Sequence, residues 1–345
     1  MKIIIAGPLP NKKSNGGVAV FTECLAKEAA RAGNDVLVLT NKQGLSSSCF
    51  LNYKIAKENI WNVLAIIRFN PDLIISSLQF SLLFCFLNLD AVKVHILHGF
   101  TGFKYYSAPK FYIMHLIDLI IRKKFDYLLA NSSFTKLIND EIFNIKSDGY
   151  FYIGLEREAL KDIAISNKSR HIKKNLLFIG RIVPAKGVEI SIKAFLGLKF
   201  SSDTNFIIAG YGSELVTLKQ KYENNKNIEF KGMVNQEQAL RLYSESKVFI
   251  SLNPSEPFGI TYVEAIANGM FVVAPKTGGQ VDFLKMFPGR YYLVDKDNKD
   301  SVMEGIKKGI KSNLLPLNDN ELKLLSFENT YRTIIKILKS KGILC

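Results

Sequence analysis

The chain has 345 residues, 48% of them hydrophobic and 22% charged, which excludes a disordered polymer and leaves room for two cores of about 150 residues each. Its formal charge of +15 implies attraction to anions, but basic residues exceed acidic ones in both halves without a block of one sign, so a basic tail or arm is excluded. Cys24, Cys49, Cys85 and Cys345 are scattered, with no CxxC pair and no histidine at ligand spacing, as expected of reduced thiols in a cytoplasmic protein.

The opening "MKIIIAGPLP" carries an apolar run shorter than the core of about 7–15 residues that a signal peptide needs, and residues 2–7 are predicted to form a strand. "VAVFTECLAKEAARAG" (18–33) spaces its apolar residues by three and four and stops at Gly33, as a helix does. Strands are predicted at 35–40, 72–76, 92–98 and 126–132. The uncharged stretch 73–89 falls short of the ~20 residues of a membrane span and reads as a buried strand followed by a buried helix. No transmembrane segment is expected. "KYYSAPKFYIMHLIDLIIRKKF" (104–125) combines aromatics, an apolar helix and the triplet Arg122–Lys124. It is either a core helix with a charged end or a face that lies on an anionic membrane.

The pattern restarts after a polar, charged stretch without clear period at 159–174, where the domain boundary is placed. Strands follow at 175–181, 205–210, 228–232, 247–252 and 270–275, with helices at 187–197, 213–224, 235–245 and 260–268, and a last amphipathic helix at 326–344. Fully apolar strands alternating with helices indicate parallel sheets covered on both faces. The expectation is α/β: two doubly wound, Rossmann-like domains, 1–160 and 161–325, facing across a cleft.

The second half carries most of the chemistry. In "LLFIGRIVPAKGVEISIKAF" (176–195) a strand ends at Gly180, Arg181 and Lys186 follow, and Gly187 leads into a helix. Ligands of open α/β sheets sit beyond the carboxyl ends of the strands, and two cations in one such loop can converge on a diphosphate. Gly210-x-Gly212 follows the next strand. It lacks the third glycine of a dinucleotide fingerprint, so it points to close backbone approach rather than to NAD. Gly232, Met233 and Val234 stand at a further strand exit, where backbone groups could bond a flat base, although an ordinary turn with Asn235 as helix cap explains them equally well. "NPSEPFGITYVEAIANG" (253–269) places Glu256 before a loop and Glu264 inside the helix that follows. The free N–H groups from Phe258 through Gly259 and Ile260 to Thr261 form an edge for an anion or a hydroxyl. Glu264 can accept both hydroxyls of a vicinal diol such as ribose, and Glu256 can reach a sugar hydroxyl. The macrodipole alone would favour Glu264, but not Glu256 ahead of the loop.

In this order Arg181, Lys186, Gly210-x-Gly212, Glu256-x7-Glu264 and "TGGQVDF" (277–283) resemble the retaining GT-B glycosyltransferases of family 4, the glycosyl transferases group 1 set. The match covers the C-terminal half. In the first half "NGGV" (15–18), "HG" (98–99) and "ANSSFTK" (130–136) look like the family's glycine loop, active-site histidine and strand-to-helix signature. The resemblance implies that Arg181 and Lys186 neutralise a diphosphate leaving group in place of a metal ion. Glu264 would then hold the ribose, and Glu256 would grip the donor sugar with the backbone of Phe258–Ile260. Gly16 and Gly17 would let backbone approach the phosphate, and His98 would lie beside the transferred sugar. It also implies that residues 326–345 cross back to the first domain, that no cofactor is needed, and that a nucleotide-sugar donor, most often a UDP-sugar, meets a glycan or polyprenyl-linked acceptor at the inner face of the membrane during surface polysaccharide synthesis. Three positions depart from the pattern: "FYIGLERE" (151–158) keeps only a glycine and an acid of the usual interdomain loop, Asp282 replaces a glutamate, and Phe327 replaces a tryptophan.

His95, His115 and His171 have no motif around them and read as structural. "DKD" (295–297) imitates the metal-binding Asp-x-Asp of GT-A enzymes but lies in a polar run far from the motifs, so no metal is expected. An epimerase-like enzyme on the same fold would release no free nucleotide. A phosphorylase would carry a pyridoxal phosphate lysine run, which is absent. A non-catalytic binding protein predicts loss of Glu256, Arg181 or Lys186, and all three are present. Nucleic-acid binding would require a basic stripe with interleaved aromatics.

Overall fold

The computed structural model describes residues 1–10, 16–40, 53–57, 63–100, 108–167, 174–198, 200 and 203–342. Asn15, Cys49, His171, Cys345 and the 104–107 part of the aromatic stretch lie outside them. The chain divides into two compact units, Met1–Ile153 with Phe327–Cys345, and Gly154–Ser326.

In the first unit the strands are β1 (Lys2–Ala6), β2 (Asp35–Thr40), β3 (Tyr53–Lys57), β4 (Leu73–Ser77), β5 (Val92–Leu97), β6 (Tyr127–Ala130) and β7 (Gly149–Tyr150). The helices are α1 (Gly17–Arg31), α2 (Val63–Phe69), α3 (Ser81–Phe86), α4 (Ala108–Lys124) and α5 (Ser133–Glu141). All strand pairs are parallel, in the order β3-β2-β1-β4-β5-β6-β7. Ile3, Ile5, Val36 and Val38 point to one face and pack on Phe21, Leu25 and Ala29 of α1 and on Phe327, Tyr331 and Ile334. Ile4, Leu37 and Ile74 point to the other face and meet Ile66, Phe80, Phe84 and Ile121. The two-residue periodicity of the strands thus supplies both cores, which is why these strands are apolar throughout.

The second unit begins with α6 (Arg157–Asn167) and continues through β8 (Asn175–Ile179), α7 (Val188–Gly197), β9 (Phe206–Ala209), α8 (Leu215–Tyr222), β10 (Ile228–Gly232), α9 (Gln236–Glu245) and β11 (Ser246–Ile250). It then adds α10 (Ile260–Ala267), β12 (Phe271–Pro275), α11 (Gln280–Leu284), β13 (Tyr291–Val294), α12 (Lys299–Lys311) and α13 (Asp319–Leu324). The final helix, α14 (Phe327–Ser340), belongs to the first unit. The sheet is parallel with order β10-β9-β8-β11-β12-β13. The structure divides the chain between Ile153 and Gly154 rather than at 160/161, and the polar segment expected to be irregular opens with α6. Gly154 is retained for a physical reason: a Cβ there would stand 2.3 Å from the backbone of Ser326. Helix α12, not predicted from the sequence, turns Val302, Gly305, Ile306 and Gly309 inward. Its two glycines lower helix propensity, but a Cβ on Gly305 or Gly309 would come within 2.9 Å of Val294 or 2.7 Å of Val248, so they let the helix lie close on the sheet.

Both sheets reverse their winding direction in the middle, between β1 and β4 and between β8 and β11. Such a switch point opens a crevice at the carboxyl ends of the strands. Gly16 and Gly17 follow β1, and Arg181, Lys186 and Glu256 follow β8 and β11, whereas His98 follows β5 and Met233 and Val234 follow the edge strand β10.

Candidate active site

In the second unit the loops after β8 and β11 border the switch point and are joined through their backbones. The Leu252 N–H donates to the Lys186 carbonyl at 3.0 Å. The β8 loop turns through a short 3-10 segment, Pro184–Lys186, and Gly187 takes a left-handed conformation (φ 64°) before α7. Lys186 thereby faces Glu256 and forms an ion pair with its Oε2, each side chain 15% exposed. Asn253 Nδ2 donates to the same oxygen at 3.0 Å. Glu256 itself is held from behind, since the Gly279 N–H donates to its carbonyl at 2.7 Å and Thr277 Oγ1 donates to the carbonyl of Pro254 at 3.1 Å. This gives the glycine-rich "TGGQVDF" segment a bracing role. Asp282 in that segment pairs with Lys285 at 2.9 Å.

Gly259 (φ 84°) caps α10, and a Cβ there would meet the Tyr262 ring at 2.5 Å, so both backbone and packing demand glycine. Tyr262 donates to the Ser251 carbonyl at 2.8 Å, and burial raises its pKa. Phe258 is buried edge-on against Phe283. Together they fix the start of α10, including Ile260, at the exit of β11. One helical turn on, Glu264 accepts a hydrogen bond on Oε2 from the Tyr243 hydroxyl at 2.7 Å. Burial raises the Glu264 pKa, and the tyrosine bond opposes that shift.

Arg181 is exposed at the exit of β8. Gly210 and Gly212 explain how its loop is carried. The Ile182 N–H donates to the Tyr211 carbonyl at 2.9 Å and the Glu214 N–H to the Ile182 carbonyl at 3.1 Å. A Cβ on Gly210 (φ 136°) would lie 1.8 Å from the Gly180 carbonyl oxygen, and one on Gly212 would lie 2.2 Å from that of Ile182. The close approach read from the sequence is therefore backbone against backbone, beneath Arg181. Met233 is 80% exposed and Val234 partly so, after Gly232 in a left-handed conformation (φ 66°). Asn235 and Gln238 form a capping box at the start of α9.

In the first unit Gly16 and Gly17 are exposed at the N-terminus of the 15-residue α1, and a Cβ on either would meet none of the described residues within 4 Å. Packing does not require glycine there, in contrast to Gly210. His98 follows β5. Its Nε2 lies 2.9 Å from Ser77 Oγ, at the end of β4, in a hydrogen bond, and its ring meets Phe21 edge-on at 4.8 Å. Asn131 Nδ2 donates to the His98 carbonyl and Asn139 Nδ2 to the Gly99 carbonyl, each at 3.0 Å, so "ANSSFTK" ties down the turn after β5 while Ser132 caps α5. The His98 side chain keeps some solvent contact, yet the protein around it pushes its pKa down to about 3, with neighbouring His95 a smaller cause. His98 is therefore a neutral hydrogen-bonding group near pH 7. His95, fully enclosed, bonds Ser81 Oγ at 2.5 Å and is likewise held down to about 3 by burial.

Tyr243, Ser77 and Asn139 were not singled out by sequence, and Asn131 and Asn253 only as members of "ANSSFTK" and "NPSEPFGITYVEAIANG". A tyrosine on the buried side of an amphipathic helix is the one signal available, because a buried hydroxyl needs a partner. Among the described residues no group of three or more His, Cys, Asp or Glu is placed to hold a metal ion.

Two doubly wound α/β units, each with a switch point in its sheet, define the GT-B glycosyltransferase fold. The chain is similar over 99% of its length to all of Anabaena HepE, solved with UDP and glucose (TM-score 0.70, 16% identity), and to all of the lipopolysaccharide outer core galactosyltransferase WaaB (99% of this chain, TM-score 0.67, 14% identity). Residues 161–321, most of the second unit, match glycosyl transferases group 1. The chain is 30% identical over 250 residues to an uncharacterised glycosyltransferase of Methanocaldococcus jannaschii, an alignment covering 68% of this chain and 62% of that one. It spans only about a third of the length of the next relatives, 35% in two of them.

Proposed function

We propose that the protein is a retaining, metal-independent hexosyltransferase that moves a sugar from a nucleotide-diphosphate donor, a UDP-sugar in preference, to a hydroxyl of a glycan or polyprenyl-linked acceptor in surface polysaccharide synthesis. The observation that carries the reading is the pairing of Lys186 with Glu256 across the β8/β11 switch point, with Arg181 and Glu264 on the same two strand exits. Arg181 and Lys186 would take up the charge that develops on the diphosphate as its bond to the anomeric carbon breaks, which is electrostatic stabilisation aimed at the leaving group. Glu256 would hold the sugar, Glu264 the ribose, and the backbone at Met233 and Val234 the base. His98, neutral, would hydrogen-bond the sugar without exchanging a proton, and the open backbone at Gly16 and Gly17 would accept the approach of phosphate. The UDP and glucose held by HepE favour the donor, and WaaB, a galactosyltransferase of the lipopolysaccharide outer core, favours the setting.

Contact with an anionic membrane is part of the proposal. Tyr112, Ile113 and Leu116 on α4 are each about 60% exposed, on the helix that ends in Arg122, Lys123 and Lys124, an apolar face beside a basic end. Among the described residues no helix is long and apolar enough to cross a membrane, so the protein would act at the cytoplasmic surface.

Calorimetry with UDP, GDP and ADP in EDTA tests the donor site. One nucleotide should bind without metal, and Glu264→Ala should weaken it roughly 10- to 100-fold, the loss of charge-assisted hydrogen bonds worth about 1.5–3 kcal/mol. Absence of binding by all three, or full affinity in the variant, would overturn the assigned site.

A further inference from the structure

Glu264 can bind a diol only if its carboxylate is held in one orientation, and helix α10 alone does not do this. The restraint comes from α9. Tyr243 is buried, its ring tilted against Phe249 at 6.3 Å, and its hydroxyl donates 2.7 Å to Glu264 Oε2. Among the described residues this is the hydrogen bond that the carboxylate makes, and it engages Oε2 alone. A hydroxyl-to-carboxylate bond of this kind is charge-assisted and about twice as strong as a neutral one. It also removes rotamers that the acid would otherwise have to surrender on binding.

Helix α9 has a second connection to the same site. It begins one residue after Asn235, whose capping box fixes it directly behind Gly232, Met233 and Val234. One rigid element thus carries the candidate base edge at its start and the tyrosine near its end.

We propose that Tyr243 is a positioning residue for nucleotide recognition: by pinning Glu264 it presents the carboxylate to both hydroxyls of a ribose, and so makes the site discriminate ribonucleoside from 2′-deoxyribonucleoside diphosphates. The inference rests on the donor-site reading above and adds to it the residue that sets sugar specificity. A tyrosine that only filled space would contribute equally to the binding of both nucleotide types. A positioning tyrosine contributes more where the second hydroxyl is present, because each bond to the carboxylate gains from its fixed orientation.

The test is calorimetry in EDTA with UDP, GDP and ADP and with dUDP, dGDP and dADP, on the wild type and on Tyr243→Phe, with melting temperatures taken alongside. The ribonucleotide that binds the wild type should do so at least about tenfold more tightly than its deoxy form, as one charge-assisted hydrogen bond predicts. Tyr243→Phe should reduce that ratio several-fold by weakening the ribonucleotide more than the deoxynucleotide. Glu264→Asp, which withdraws the acid and keeps the tyrosine, should reduce it similarly. A ratio unchanged in Tyr243→Phe, or equal losses for both nucleotides, would overturn the inference and leave the donor site standing, as would a wild type that binds both types equally. A wild type that binds none of the six would overturn the donor-site reading and the inference with it.

Discussion

Glu256→Gln is expected to bind a free nucleoside diphosphate more tightly than the wild type while losing sugar transfer. In the structure Lys186 is already paired with Glu256, so a cation assigned to the diphosphate is partly satisfied, and the carboxylate repels the arriving anion. Glutamine keeps an oxygen for Asn253 and Lys186 and removes only the charge, so the loop between Asn253 and Gly259 should hold its shape. At 15% exposure on both sides the pair falls between a surface ion pair, worth at most about 1 kcal/mol, and a buried one, where loss of a partner costs about 3–5 kcal/mol. If about 2 kcal/mol of pairing is released, affinity should rise about 30-fold at about 1.4 kcal/mol per decade. The assay is calorimetry with UDP, GDP and ADP in EDTA at low ionic strength, repeated at high salt, where screening should narrow the gap. Turnover with the sugar donor should fall in the same variant, because its grip on the sugar is lost. A folded variant with unchanged or weaker affinity would show that Glu256 and a diphosphate do not compete for Lys186.

Acid stability should depend on His95. Its folded pKa of about 3 lies below the ordinary value of 6.5, so the stability it supports is complete above 6.5 and is lost as pH falls from there towards 3. Between pH 8 and pH 5 that loss is about 2 kcal/mol, set by the unfolded histidine alone because pH 5 is still well above the folded value. Urea melts of His95→Gln should be flatter by this amount, and a parallel decline in both proteins would refute the account. Gly210→Ala should destabilise the protein without any ligand, by roughly 2–5 kcal/mol from backbone strain and overpacking, whereas Gly16→Ala should shift the melting temperature by no more than about 2 °C. Equal thermal shifts would refute the distinction drawn between the two glycines.

The parts of this molecule that can be read from its sequence are those with a local physical signature. Buried parallel strands such as Lys2–Ala6 and Phe271–Pro275 are apolar at nearly every position, and α1 repeats its apolar residues at helical spacing. Lys54 and Lys57 interrupt β3, and β13 is a four-residue run bounded by Arg290 and Asp295. Their strand character comes from pairing with β2 and β12, which no local pattern records. In the site the same division holds. Arg181, Lys186, Glu256 and Glu264 could be singled out because each follows a strand exit or lies in the first turns of the helix after it. Tyr243 could not be matched to Glu264, nor Asn131 to the turn at His98, because those bonds join residues 21 and 33 positions apart.

Gly210-x-Gly212 answers a demand that arises inside the protein. The pattern indicates close backbone approach, and on the Cβ side of the two glycines the structure places Gly180 and Ile182, flanking Arg181. The two glycines let the β8 loop continue its hydrogen bonding with the β9 exit beyond the ends of both strands, which gives an exposed arginine a rigid base. Preorganisation of this kind matters most for a cation meant to act on a leaving group, because a loop that had to rearrange during the reaction would forfeit the stabilisation it supplies. Gly16 and Gly17 differ from Gly210 and Gly212, since no atom of the described residues lies where a Cβ would stand.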